Sequence, residues 1–304
     1  MIIPKKLKIG DTIGVVAPAG PVPKEKAYQA KCVLEEMGFK VKMGESCFLS
    51  FGGYLAGKDH IRAKDVNDMF MDQDIDGIIC IRGGYGCMRM MDKIHIDVIK
   101  QNPKIFVGYS DITALHLLFN QMANLVTYHG PMVFSNMLNF NEFTKKSFFE
   151  VMSSDDDIIL QNPPNEELKT MVDGFAKGTL VGGNLCLITS TLGTPYEIQT
   201  KGKILFIEDV AEPPFKIDRM LTQLYLAGKL QDCEGFILGD FNNCNDEDGF
   251  TLLEVLKMII EPFNKPTIYN FKSGHCEPTI TLPLGMVCEL DATNKKIIIK
   301  RNKA

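Results

Sequence analysis

Along the first half of the chain, short runs of apolar, β-branched residues alternate with stretches whose apolar positions recur every three or four residues. That alternation predicts a parallel sheet covered by helices on both faces. Strands are expected at Thr12 to Ala17, Lys40 to Met43, Gly77 to Ile81, Ile105 to Gly108 and Leu125 to Tyr128, with helices at Lys24 to Met37, Asp59 to Met71 and Asp111 to Met122. A polar segment, SSDDDIILQNPPNEE from Ser153 to Glu167, interrupts the pattern, and its Pro163-Pro164 pair disfavours helix. The second half is richer in strand patterns, at Lys203 to Ile207, Gly235 to Leu238, Thr267 to Phe271, Met286 to Leu290 and Lys296 to Lys300. The expected organisation is a parallel-sheet α/β domain over residues 1–152, a linker over 153–170, and a smaller β-rich α/β domain over 171–304.

Composition narrows the class of partner. A length of 304 residues suits two domains, and 45% hydrophobic with 23% charged residues is ordinary for a globular protein in water. The net charge is −5, and no run of Lys or Arg exceeds a pair, so a phosphate backbone would meet no basic stripe and nucleic acid is not an expected partner. The basic start, MIIPKKLKIGDTIGVVAPAG, leads into no long apolar segment, and no window reaches membrane-spanning length. A cytoplasmic protein without membrane partners is expected. Its nine cysteines are scattered without C-x-x-C pairs and often lie inside apolar runs such as Ile78-Ile79-Cys80, which reads as reduced core thiols.

Candidate chemistry concentrates where predicted strands end. Ile105 to Gly108 runs into Tyr109-Ser110-Asp111 and at once into a helix, so Ser110 falls on a sharp strand-to-helix turn beside the free N–H groups of a helix start. Serine is also a favoured helix cap, so the turn alone admits a structural reading. Arg82-Gly83-Gly84-Tyr85-Gly86 follows another strand at the carboxyl edge of the sheet, where open α/β folds place ligands. Paired glycines let backbone N–H groups approach a ligand, and Arg82 is suited to grip a carboxylate. Glu208 and Asp209 put two carboxylates at the end of an apolar strand, where solvated acids are also common. His275 lies in the loop Ser273-Gly274-His275-Cys276 and is the first candidate base, with His129, before Gly130-Pro131, the second. His116 falls inside the helix after Ser110.

Other motifs fail their chemistry. Gly52-Gly-Tyr-Leu-Ala-Gly57-Lys58 nearly spells a phosphate-binding loop, but Asp59 stands where a magnesium ion needs a hydroxyl. Gly84-Tyr85-Gly86 lacks the third glycine of a dinucleotide fingerprint. Met88, Met90 and Met91 read as core packing on a helix. No HExxH and no clustered Cys, His or carboxylate set marks a metal, so neither metal nor cofactor is expected.

Seven segments in order resemble the LD-carboxypeptidase family of serine peptidases, which comprises muramoyl-tetrapeptide carboxypeptidases and microcin C immunity peptidases. They are IGVVAPAGPV, GYLAGKDHIRAKDVNDMF, GIICIRGGYG, VGYSDITALH, LVGGNL, ILFIEDVAEPPFKIDRML and GHCEPTITLPLG. The resemblance implies a flavodoxin-like or class I amidotransferase-like N-terminal domain. It also implies Ser110 as nucleophile, Glu208 as the acid that orients the imidazole, His275 as general base, and the N–H groups of Gly84 and Asp111 as oxyanion hole. Arg82 and Gly83 are then the expected substrate contacts. The implied reaction releases terminal D-alanine from a murein tetrapeptide, with hydrolysis of a peptidyl-nucleotide antibiotic or catalytically inert muropeptide binding as alternatives. A homodimer is implied as well, and the apolar stretch Met132 to Phe140 suits such an interface.

Overall fold

The computed structural model describes residues 1–245 and 249–301. The chain forms two compact units, Met1–Ser154 and Asp155–Ala304. In the first, β1 (Thr12–Val16), α1 (Lys24–Glu36), β2 (Lys40–Met43), α2 (Asp59–Met71), β3 (Gly77–Cys80), α3 (Ile96–Gln101), β4 (Ile105–Gly108), α4 (Thr113–Met122), β5 (Thr127–His129) and α5 (Glu142–Ser153) follow in order. The strands lie in the order β2-β1-β3-β4-β5, all parallel. Every residue of β3 and β4 is buried, as a strand covered on both faces requires.

This is the flavodoxin-like order, in which the chain leaves β1 to one side for β2 and returns to the other for β3. The loops after β1 and β3 diverge at that switch and leave a crevice at the carboxyl edge. Here those loops are Ala17 to Gly20 and Arg82 to Gly86, and the turn after the adjacent β4 carries Ser110. An aromatic cluster anchors the sheet's centre: Phe106 of β4 meets Phe119 edge-on with centroids 4.9 Å apart, and Phe70 of α2 stands 5.5 Å from Phe119.

The second unit contains β6 (Ile158–Leu160), β7 (Lys169–Val172), β8 (Phe175–Asn184), α6 (Leu185–Ser190), β9 (Lys203–Val210), α7 (Pro214–Leu226), β10 (Gly235–Asn242), α8 (Leu252–Ile260), β11 (Thr267–Tyr269), β12 (Leu282–Leu284), β13 (Val287–Asp291) and β14 (Lys296–Lys300). Its sheet runs β6-β14-β13-β8-β9-β10-β11-β7. The four central strands β8 to β11 are parallel, and the flanking pairs are antiparallel. The mixed α/β class with a β-rich second half thus holds. No helix among the described residues is long and apolar enough to cross a membrane.

Several boundaries move for physical reasons. The last strand of the first unit is Thr127–His129, because Val126 donates to Ile2 O instead. A 3-10 turn occupies Ser110–Ile112, so α4 begins at Thr113 rather than Asp111. Met88 to Met91 also lie in a 3-10 helix, with Met90 and Met91 in the core. β9 continues to Val210 and takes Glu208 and Asp209 inside the sheet. Residues 153–170 contribute β6, whose Ile158 and Leu160 point inward against β14. In the stretch Met132 to Phe140, Met132, Val133 and Met137 are buried, while Phe134, Leu138 and Phe140 are half-buried. The cysteines are free thiols, most of them buried.

The longest strand not drawn from the pattern is β8, whose glycines obscure it. Gly182 sits at φ +132°, and a Cβ there would lie 1.8 Å from Phe206 O of β9. Only glycine permits that approach. Gly182→Ala is expected to prevent the second unit from folding, seen as loss of soluble protein or of the cooperative thermal transition. A soluble variant with wild-type melting would contradict this account of β8 against β9.

Candidate active site

The first group of residues surrounds Ser110. After the buried strand β4, Ser110 adopts φ +65°, a left-handed conformation that costs a non-glycine residue about 1–3 kcal/mol and that concentrates at functional sites. The turn leaves no room beside it. A Cβ on Gly108 would lie 2.9 Å from two carbons of Ile112, and one on Gly83 would lie 2.8 Å from Ser110 Cβ and 2.9 Å from its Oγ. Gly83 therefore brings the Arg82 to Gly86 turn against the serine. Gly84, exposed and at φ +119°, is the next residue of that turn.

Asp111 is buried, and its carboxylate accepts a 2.8 Å hydrogen bond from Cys87 N. Burial raises the Asp111 carboxyl pKa, against the lowering effect of its bonds with Cys87. Its side chain thus ties the serine turn to the end of the glycine turn, while its backbone stands at the start of the 3-10 turn. His116, one helical turn on, has its Nε2 2.8 Å from Gly108 O, and burial pushes its pKa down to about 4, so the neutral ring donates to that carbonyl. It is a brace for the strand end. His129 is buried as well, packed 5.9 Å from the Tyr109 ring, which does not suit a base that must meet substrate.

The second group is built on β9. Its register against β10 shifts between Leu238 and Phe241, where three residues of β10 span two of β9. The extra residue makes a bulge opposite Glu208, the kind of irregularity that re-aims a side chain. Two glycines clear the space around that carboxylate. A Cβ on Gly239 would lie 3.1 Å from Glu208 Cβ, and one on Gly274, at φ +112°, would lie 2.5 Å from Glu208 Oε2.

Glu208 is wholly buried and its Oε2 stands 2.7 Å from His275 Nδ1, while the backbone N–H of His275 donates to the same oxygen at 3.2 Å. A carboxylate only accepts, so Nδ1 carries the proton, and in the neutral ring Nε2 is the basic nitrogen. Burial acts to lower the His275 pKa, but the Glu208 hydrogen bond and the charges of Glu208, Asp209 and Asp240 outweigh it, so the imidazole titrates above its ordinary 6.5. The loop is held around it: Ser273 Oγ donates to Ile280 O at 2.8 Å and Asn242 Nδ2 to His275 O at 2.8 Å.

Asp209 faces another task. Its oxygens accept from Asn184 Nδ2 at 3.0 Å, Val210 N at 2.9 Å and Cys186 N at 2.9 Å, so it braces the start of α6, and burial raises its pKa to about 6. The two neighbouring acids that sequence left open are separated by these contacts: Glu208 holds the histidine and Asp209 holds the backbone. Arg82 donates through Nη1 to Pro21 O at 3.1 Å and stacks over Phe134. Asp59 opens α2 and pairs with Arg62 and Arg89, as a helix start rather than a phosphate loop. Sequence reasoning gave no part to Gly239, whose only signal is a glycine inside an apolar strand, or to Arg62, which lies within one of the quoted segments without distinguishing itself.

A serine on a strand-turn-helix elbow and a histidine fixed by a carboxylate are the working parts of a serine-type hydrolase. The comparisons with known proteins agree and go further. Residues 13–130 match the LD-carboxypeptidase N-terminal domain and residues 177–290 the LD-carboxypeptidase C-terminal domain. The chain belongs to the LD-carboxypeptidase family. It is similar to the "Probable murein peptide carboxypeptidase" of Bacillus subtilis, with 42% identity over 302 residues, 98% of this chain and 94% of the relative. The Microcin C7 self-immunity protein MccF of Escherichia coli is 28% identical over 96% of this chain and 94% of its own length. The crystal structure of muramoyltetrapeptide carboxypeptidase from Oxalobacter formigenes matches with a TM-score of 0.83 at 28% identity, over 95% of this chain and 97% of that one.

The Glu208 contact makes a prediction about titration. In histidine NMR spectra the His275 midpoint is expected above 6.5, and Glu208→Gln, which removes the charge that raises it, should move the midpoint down. A midpoint unchanged by Glu208→Gln would contradict the assignment of that carboxylate as the controlling partner.

Proposed function

We propose that the protein releases the terminal D-alanine of a murein tetrapeptide by hydrolysing its L,D peptide bond. Ser110 Oγ attacks the carbonyl carbon as its proton passes to His275 Nε2, and the developing oxyanion takes hydrogen bonds from the N–H groups of Gly84 and Asp111. The imidazolium, held by Glu208, returns the proton to the departing D-alanine nitrogen as the C–N bond breaks. A water molecule, deprotonated by His275, then attacks the acyl-serine, and collapse of the second tetrahedral adduct frees the shortened peptide and restores Ser110. The single observation that carries this reading is the 2.7 Å contact of a wholly buried Glu208 with His275 Nδ1, because it fixes the tautomer the base needs.

The choice of substrate rests on likeness to the Bacillus subtilis relative and the Oxalobacter formigenes structure. Gly83 and Arg82, whose guanidinium has donors beyond the one given to Pro21 O, are proposed to hold the D-alanine carboxylate. A cytoplasmic location fits the free, mostly buried cysteines, and a homodimer rests on the family resemblance. A second reading, hydrolysis of a peptidyl-nucleotide, is favoured by the likeness to the Escherichia coli self-immunity protein.

Ser110→Ala and His275→Ala are each expected to lower kcat/KM by on the order of a thousandfold or more while the protein stays folded. Glu208→Gln should also be severely impaired, and Asp209→Asn milder. Near-normal turnover in either of the first two would refute the assignment. For the substrate, kcat/KM is compared on an L,D-tetrapeptide, its C-terminal amide and a peptidyl-nucleotide conjugate. The free acid should be cleaved fastest. Faster cleavage of the conjugate would move the function to the second reading, and equal cleavage of acid and amide would remove the carboxylate contact.

A further inference from the structure

Arg62 of α2 is the largest wholly buried side chain of the first unit, and its guanidinium is spread over three loops. Nε donates to Gly57 O at 3.1 Å, and Nη1 donates to Gly86 O at 2.9 Å and to Pro18 O. Pro18 belongs to the loop after β1 and Gly86 to the glycine turn after β3, the two loops that diverge at the switch in strand order. Gly86 sits at φ +140°, and a Cβ there would lie 2.6 Å from Arg62 Nη1, so the turn is shaped to receive this arginine. Nη2 pairs with Asp59, whose carboxylate also binds Arg89 through Nε at 3.0 Å and Nη2 at 2.9 Å. The hydrogen bond from Arg89 leads the causes that keep Asp59 below the ordinary carboxyl range, so a carboxylate balances the buried cation.

The same turn is fixed at two further points. Gly83 O accepts from Gly20 N at 3.1 Å, and Cys87 N donates to Asp111 at 2.8 Å, next to the serine. Gly84, whose N–H is the proposed oxyanion donor, lies between the Gly83 and Gly86 anchors. We propose that Arg62 is a positioning residue for the reaction: by holding Gly86 and Pro18 together it sets the orientation of the Gly84 N–H against Ser110. A misplacement of about 1 Å at such a donor is enough to cost on the order of a hundredfold in rate. Burying a guanidinium for packing alone is unfavourable, whereas a rigid planar group that serves three carbonyls at once locks loops no neutral side chain would span. This inference rests on the proposed roles of Ser110 and Gly84.

The test separates positioning from plain stability. Arg62→Lys keeps the charge but gathers its donors on one nitrogen, without the planar fork that reaches Gly57 O from Nε and Gly86 O and Pro18 O from Nη1, and Asp59→Asn leaves Arg62 in place without its carboxylate. For both, kcat and KM on the tetrapeptide are measured with the inhibition constant of a peptidyl boronic acid that forms a tetrahedral adduct on serine. In Arg62→Lys, kcat should fall by on the order of tenfold to a hundredfold with KM within about twofold, and boronate affinity should fall by a similar factor. Asp59→Asn should show the same pattern at smaller size, and it decides alone if Arg62→Lys does not fold. A folded variant with a lower melting temperature but unchanged kcat and boronate affinity would overturn the proposal, as would a loss confined to KM. Turnover retained by Ser110→Ala would bring down the serine reading itself. An inactive Ser110→Ala beside an unaffected Arg62→Lys would overturn only the role of Arg62.

Discussion

A non-glycine residue at φ +65°, as Ser110 is, carries a backbone cost of about 1–3 kcal/mol that its surroundings must offset. The first unit is arranged around that requirement. β4 is buried along its whole length, so the strand that delivers the serine cannot relax toward solvent. His116 holds Gly108 O behind it, Asp111 ties it forward to Cys87, and Gly83 closes on it with no Cβ. Each contact is local and ordinary. Together they leave the hydroxyl on the outside of a turn that has no freedom to become a longer helix.

The second unit meets a different constraint, a carboxylate taken wholly out of water. Glu208 recovers part of its solvation through Oε2 from the backbone and ring of His275, and the bulge in β10 and the absence of side chains at Gly239 and Gly274 make room for that contact. The pairing raises the His275 pKa, which sets stability against reactivity. The stabilisation from a charged imidazolium is fully present below the ordinary histidine pKa and is lost as pH rises through the elevated one. The neutral ring that can accept a proton appears over that same rise. The proposed base thus gains activity in the window where the ion pair gives up its contribution to folding.

Much of this was legible in the chain because it depended on local pattern. The five parallel strands of the first unit follow from apolar runs bounded by turn residues, and the seven quoted segments carried the family. Glycine-rich β8 was hidden because close backbone approach, as at Gly182, replaces the side-chain alternation that marks a strand. The family segments singled out Glu208, but strand pattern alone could not tell it from Asp209, since adjacent residues on a strand differ only in what each face meets. Arg62 left no signal because its importance lies in three carbonyls distant along the chain. Met132 to Phe140 divides between buried Met132, Val133 and Met137 and half-buried Phe134, Leu138 and Phe140, a division an apolar run does not disclose.

The proposed mechanism requires Ser110 to be a nucleophile made reactive by His275. Reaction with a fluorophosphonate probe, followed by peptide mass spectrometry, reads out that reactivity. A single adduct is expected on Ser110, formed faster as pH rises through the His275 titration and slowed by orders of magnitude in His275→Ala. Modification at another residue, or labelling of Ser110 at an unchanged rate in His275→Ala, would contradict it.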